Sequence, residues 1–241
     1  MTQAHSAAPR AGLLWAAGIA LASALFLALG TWQLLRMQWK HALIERVQAR
    51  VHAAPVPAPA RSEWAAINAD NAEYRHVRAS GTFLFDHSTL VQASTVHGLG
   101  YWVLTPLRSA DGAIILVNRG FVPSRQAATG SGQAQATVSG LLRISEPAGR
   151  VLRPNDPAHG NWYSRDVQAI AAARGLAPVA PYFIDADATP GQPAGQPIGG
   201  LTVIAFRDNH LVYALTWYAL ALMIIVRTWQ IKRKTRRTGT A

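Results

Sequence analysis

The chain has 241 residues, half of them apolar, no cysteine and a formal net charge of +11. The lack of cysteine excludes disulfides, cysteine-based zinc sites, covalent c-type haem attachment and thiol copper transfer. The charge argues against nucleic acid once it is located. Arg36 to Asp208 holds sixteen bases against twelve acids, and the other seven bases flank apolar runs, as membrane topology requires.

Residues 1–10 are polar and read as a cytoplasmic N-terminus. From Ala11 to Leu35 no residue is charged. At about 1.5 Å rise per residue this run exceeds the roughly 30 Å hydrocarbon core, so 11–35 is expected to be transmembrane helix 1. Trp15 and Trp32 stand where interfacial anchors would. Ala22-Ser23-Ala24 offers a signal cleavage site, but the apolar run continues to Leu29, too long for a signal peptide. Trp32, Arg36 and Lys40 recur every fourth residue and share a helix face. Segment 36–60 is expected to continue the helix to about Val51 and then become an extended linker, because Pro55, Pro57 and Pro59 alternate.

Segment 61–207 reads as one soluble domain, β-rich and of α+β class. Alternating apolar runs predict strands at Tyr74–Phe83, Thr89–Ser94, Tyr101–Leu107, Ala113–Val122, Thr137–Arg143, Tyr182–Asp185 and Leu201–Phe206. Asp111-Gly112 predicts a hairpin turn. Ser164 is the expected N-cap of a helix whose apolar face carries Val167, Ile170 and Ala171 and which Gly175 closes. A short helix is expected near Ser62–Asn68, and loops at Ala127–Ala136 and Ala186–Gly200.

Segment 208–231 is expected to form transmembrane helix 2, its charge-free run being Leu211 to Val226. Residues 232–241 then form a basic tail. That tail favours the cytoplasm, which puts both termini there and the soluble domain outside. Arg36, Lys40, Arg46 and Arg50 pull the other way, but long loops cross largely regardless of charge. Gly30 and Ala28 on the first helix, with Ala214 and Ala221 on the second, allow close pairing.

Catalytic signatures are missing: the sequence has no nucleophile elbow, phosphate loop or zinc-protease motif. The chain is therefore expected to act by binding, not as an enzyme. None of its eight histidines has a metal-ligand spacing with another. His210 differs by location, at the entry to the second helix. Trp217 lies seven residues on, so the two share a face about 10 Å apart along the axis, with Tyr213 and Ala214 between. Two readings stay open. The imidazole could ligate a haem iron with Tyr213 and Trp217 packed on the macrocycle, or it could cap the helix through headgroups or Asp208. Asn118-Arg119-Gly120 interrupts an apolar strand. Arg119 there could grip a carboxylate or close an internal salt bridge beside a glycine bulge. Asp185 and Asp187 share a strand face and could form a metal-binding or acid pair, or a solvated strand end.

Four blocks, in order, carry a resemblance. They are Leu29-Gly30-x-Trp32-Gln33-x-x-Arg36-x-x-Trp39-Lys40, then Tyr74-Arg75-x-Val77-x-x-x-Gly81-x-Phe83. The third joins Gly100-x-x-Val103-x-Thr105-Pro106-Leu107 to Leu116-Val117-Asn118-Arg119-Gly120-Phe121-Val122-Pro123. The last is Asn209-His210-Leu211-x-Tyr213-Ala214-x-Thr216-Trp217. Together they resemble the Surfeit locus protein 1 family of membrane-anchored cytochrome c oxidase assembly factors. Phe121 departs from the tryptophan common in that family. The short N-terminus resembles a bacterial member, which implies the cell inner membrane with a periplasmic domain. The resemblance implies maturation of the oxidase's catalytic subunit, with haem a as a possible non-covalent cofactor and the haem a synthesis machinery as a possible partner. It makes His210 the candidate iron ligand and Trp217 a pocket residue. It also places Trp32, Arg36 and Trp39 at the same bilayer surface, with Arg36 suited to a propionate. Asn118 and Arg119 become candidate partner-binding residues. The alternative is an envelope scaffold or sensing module that binds a protein partner without haem.

Overall fold

The computed structural model describes residues 8–125, 130, 132–147, 149, 153–191, 193, 195–202 and 208–238. The chain divides into two compact units, Met1–Arg46 with Ala205–Ala241, and Val47–Ile204.

The first unit is a helix pair. Helix α1, Ala8–His52, runs unbroken for 45 residues, and α4, His210–Thr238, for 29. Both are long and apolar enough to cross a membrane. They run antiparallel: Gln33 meets His210 at 2.7 Å, while Phe26, two turns earlier on α1, stacks on Trp217, two turns later on α4, at 5.6 Å. Small residues permit this approach. Ala214 and Ala221 are each 1% exposed. A Cβ on Gly30 would lie 2.8 Å from the Tyr218 ring. Ala28, expected at the seam, is exposed, and Ser23 is buried instead.

The second unit is built on a mixed seven-stranded sheet in the order β1-β2-β6-β7-β5-β4-β3. The strands are β1 (Val56–Pro57), β2 (His76–Leu84), β3 (Thr89–Thr95), β4 (Gly98–Arg108), β5 (Ile114–Val122), β6 (Gln133–Ile144) and β7 (Val179–Ala186). β2 pairs with β6 along its whole length, and near its end it also meets β4 through Thr82–Arg108 and Phe83–Leu107. That second pairing closes β2, β6, β7, β5 and β4 into a ring, with β1 and β3 as outriders. Alternation along each strand then sorts the apolar residues. Val77, Phe83, Leu107, Val117, Leu142 and Ile184 form one core cluster. On the opposite strand face, Leu104, Leu116 and Phe183 pack with Trp162 and with Val167 and Ile170 of α3, Val167–Ala173.

Several local expectations shift. The cap of α3 is Asp166, whose carboxylate accepts from Ala169 N; Ser164 instead accepts from Gly149 N and Asn155 Nδ2. Gly175 does close the helix with φ +64. The expected helix at Ser62–Asn68 is a 3-10 turn, Arg61–Ala66, followed by the short α2, Ala69–Ala72, capped by Asn68. β6 begins at Gln133, inside the expected loop, because it pairs along the whole of β2. The proline-alternating linker is pinned where Val56 and Pro57 run parallel to β2. Of the expected strand Leu201–Phe206, residues 203–206 lie outside the described residues, and 201–202 belong to no strand.

Candidate functional site

His210 begins α4 within the helical unit. Its backbone N–H donates to Asp208 Oδ1 at 3.0 Å, so Asp208 supplies the helix cap. Its ring Nδ1 lies 2.7 Å from Gln33 Oε1 on α1. An amide oxygen only accepts, so Nδ1 must carry the proton and donate. That choice leaves Nε2 with a lone pair in the neutral ring. Nε2 makes no hydrogen bond among the described residues. A second histidine joins the cluster from α1, with His41 Nε2 2.9 Å from Asp208 Oδ2. The pairing of Gln33 and His41 with this junction was not legible in the sequence, because the partners lie far apart along the chain.

The other expected residues of this unit divide. Trp217 faces α1 and is occupied by its stack on Phe26. Tyr213 and Trp32 are about half exposed. Arg36 places its guanidinium 4.2 Å from the Trp39 ring centroid, one turn along α1. Between His210 and Trp217 on α4, Ala214 is buried and Tyr213 is half exposed.

The sheet domain holds a second polar cluster. Asn118 on β5 and Asp185 on β7 are register partners on parallel strands. Both are almost fully buried, at 4% and 5%. Asn118 Nδ2 donates to Asp185 Oδ1 at 2.7 Å, and its own Oδ1 accepts from Gly120 N. Arg143 donates to Asp185 Oδ2 at 3.1 Å and to Glu73 at 2.7 Å. Arg165 donates to Asp185 Oδ1 at 3.0 Å and grips Glu146 with Nε and Nη2. Thr202 adds a hydroxyl to Asp185 at 3.0 Å. Asp185 is thus neither a metal ligand paired with Asp187 nor a solvated strand end. It is the shared acceptor of two arginines, which offsets its desolvation.

Titration follows the same geometry. Burial opposes the charge on Glu146, but hydrogen bonds and charge from Arg165 hold its carboxyl below the usual range. Burial likewise opposes the Arg143 guanidinium, and Asp185 and Glu73 overcome it to raise its pKa. Arg119 differs: burial lowers its pKa, and its guanidinium sits 4.8 Å from the Phe85 centroid and 5.8 Å from that of Phe83. Gly120 adopts φ +129, and a Cβ there would meet the Ile198 backbone at 2.2 Å. The glycine is needed because the segment carrying Ile198 bridges to Phe121 across it.

Beside this cluster is a cavity of about 420 Å³, lined among others by Trp102, Asn118, Arg143, Arg165, Asp185 and Thr202. No group of three or more histidines or acids could hold a metal ion among the described residues.

Comparison with known proteins finds that the SURF1 family matches residues 20–222 of the chain. A SURF1-like protein of Monosiga brevicollis is 36% identical over 92% of the chain and 88% of its own length. Surfeit locus protein 1 of Homo sapiens is 36% identical over 80% of the chain and 69% of its own length. The Mus musculus protein of that name is 37% identical over 80% and 67%.

Proposed function

The chain belongs to the SURF1 family, and we propose that it is an assembly factor for haem–copper cytochrome c oxidase that acts by binding rather than by turnover. Its two apolar helices would span the inner membrane, with both termini cytoplasmic and the sheet domain in the periplasm. Its partner would be the catalytic subunit, and its cargo haem a.

The observation that carries the haem reading is the Gln33–His210 hydrogen bond. An imidazole ligates through an unprotonated nitrogen, and a fixed hydrogen bond at the other nitrogen sets which one is free. Gln33 Oε1 accepts the hydrogen bond from Nδ1–H, which would leave Nε2 for an iron. The donor set suits haem in two further respects. Trp39 and Trp32 expose apolar ring surface, and Arg36, on the same helix, carries N–H groups for a propionate. When bound, haem a supplies an iron that accepts a nitrogen ligand and two carboxylates that accept N–H donors.

The test is an absorption spectrum of the full-length protein purified from cells that make haem a. A haem a signal is expected in the wild type and should be lost in His210→Ala. It should weaken in Gln33→Leu, which keeps the imidazole but releases its orientation. Wild-type protein that stays haem-free would reduce the reading to a scaffold for the catalytic subunit. A deletion strain with fully active, haem-replete oxidase would sink the assembly role itself.

A further inference from the structure

A second cleft of the sheet domain lies along the outer edge of β3, the last strand of the sheet. It holds about 390 Å³, within the range of small-molecule pockets, roughly 300–1,000 Å³. Several stretches of chain meet there: the 3-10 turn Phe85–His87 with the start of β3, the loop after β5, the turn at Gly160 and the end of α3. Two of them bring arginines. Arg174 donates from Nε to the buried Thr89 hydroxyl at 3.1 Å and from Nη2 to the Ser88 carbonyl at 3.0 Å. Arg125 donates from Nε to Tyr101 Oη at 3.3 Å and from Nη2 to Asn161 Oδ1 at 3.1 Å. Its guanidinium also lies 5.0 Å from the Tyr101 ring centroid.

Both guanidiniums are thus fixed by neutral acceptors, and neither forms an ion pair among the described residues. Arg143 and Arg165 differ, because Glu73, Glu146 and Asp185 match their charges. The one carboxylate on the wall of this cleft is Asp86, whose Oδ1 accepts from Gly132 N. The wall therefore carries a net +1. Asp156 is bonded to His159 and does not line the cleft. No acidic residue lies between Arg125 and Gly132. A guanidinium offers five N–H groups, and each arginine spends one from Nε and one from Nη2. The β3 edge adds a donor. Gln92 N–H points outward to the Trp162 carbonyl at 2.8 Å, and backbone groups alternate along a strand, so Leu90 N–H points outward too. Leu90 lines the cleft. The spare donors outnumber what one carboxylate accepts, about four lone-pair sites. They suit a phosphate monoester, which brings about two negative charges on three strongly accepting oxygens.

We propose that this cleft binds a small phosphate monoester, its terminal oxygens taking the spare N–H groups of Arg125 and Arg174 and the N–H of Leu90. Arginine forks that are already held in place lose little side-chain entropy on binding. The site is separate from the histidine cluster of the helical unit and does not depend on haem.

Glycerol 3-phosphate, glycerophosphoglycerol and acetate are suitable probes: a monoester, a diester with the headgroup chemistry of an anionic phospholipid, and a carboxylate. Each would be titrated calorimetrically into the full-length protein in dodecyl maltoside, a detergent without phosphate. Glycerol 3-phosphate should bind saturably, and the other two at least about tenfold more weakly, as expected where charge-assisted bonds are lost. Arg125→Gln and Arg174→Gln should each weaken the monoester at least about tenfold, with unchanged urea midpoints showing that the fold is intact. Asp86→Asn removes the opposing charge and keeps an acceptor for Gly132 N, so it should strengthen binding several-fold. That variant decides the matter where an arginine variant misfolds. Equal binding of the diester would replace the assignment with a lipid-headgroup site, and equal binding of acetate would reduce it to a general anion patch. No saturation, or an affinity that Asp86→Asn leaves unchanged, would overturn the proposal outright.

Discussion

At the scale of single residues, the sheet domain depends on Asp185. Replacing it with alanine leaves Arg143 and Arg165 with no shared acceptor while both remain largely buried. Breaking one partner of a buried ionic cluster costs about 3–5 kcal/mol, so Asp185→Ala should sharply lower the urea midpoint of the domain. An unchanged midpoint would mean that solvent already reaches the cluster. Gly120 is the other decisive residue. Gly120→Ala meets both a positive φ and the Ile198 backbone, and should cost at least about 2 kcal/mol, read from the same unfolding curves. Asn118-Arg119-Gly120 and Asp185 stand out in the sequence, whereas Arg143, Arg165 and Glu73 do not. Arg143 on β6, Arg165 before α3 and Glu73 after α2 are unremarkable in one dimension; only the meeting of β6, β7 and the segment before α3 gives the two arginines a shared carboxylate. Arg119 stands against the Phe83 and Phe85 rings, a contact that no local pattern announces.

At the scale of elements, two contacts decide how segments join. The Gly30 position meets the Tyr218 ring. Gly30→Leu should lower the melting temperature of the detergent-solubilised protein, a cost of roughly 1–3 kcal/mol for overpacking. Tyr218→Ala in the same chain should recover part of it, and no recovery would place the defect elsewhere. The second contact is His76 on β2. Its Nδ1 lies 2.7 Å from the Ala53 carbonyl, just past α1, and its Nε2 lies 2.8 Å from Asp187, just past β7. Both partners accept, so the clamp is complete only in the doubly protonated ring. Burial opposes that charge, but Asp187 and Ala53 outweigh it and raise the His76 pKa. A raised folded pKa means that the stabilisation is fully present below the ordinary imidazole value and is lost as pH rises through the folded value. The urea midpoint should therefore fall across that window, and His76→Phe should flatten the dependence. Asp187 is partly exposed, so the slope should be small.

At the scale of the whole molecule, the proposed orientation makes a prediction that the cysteine-free sequence renders clean. Single cysteines in the β4–β5 turn at Asp111 or at Ser109 should react with a membrane-impermeant thiol reagent in intact spheroplasts. A cysteine at Ala241 should react only after lysis. The reverse pattern would invert the topology and place the sheet domain in the cytoplasm.

The sequence by itself determined the two apolar helices, the continuation of α1 towards His52, most of the strands and the family. These follow from local information: hydropathy over about 20 residues, alternation over six or eight, and short blocks in a set order. Tertiary structure alone decided that β2 meets β4 and closes the ring, that Gln33 fixes the His210 tautomer, and that Asp185 gathers two arginines. Those outcomes rest on pairings between residues as far apart as 177 positions. No local pattern encodes them, because a side chain's partner is set by where packing brings the backbone, not by its neighbours in the chain.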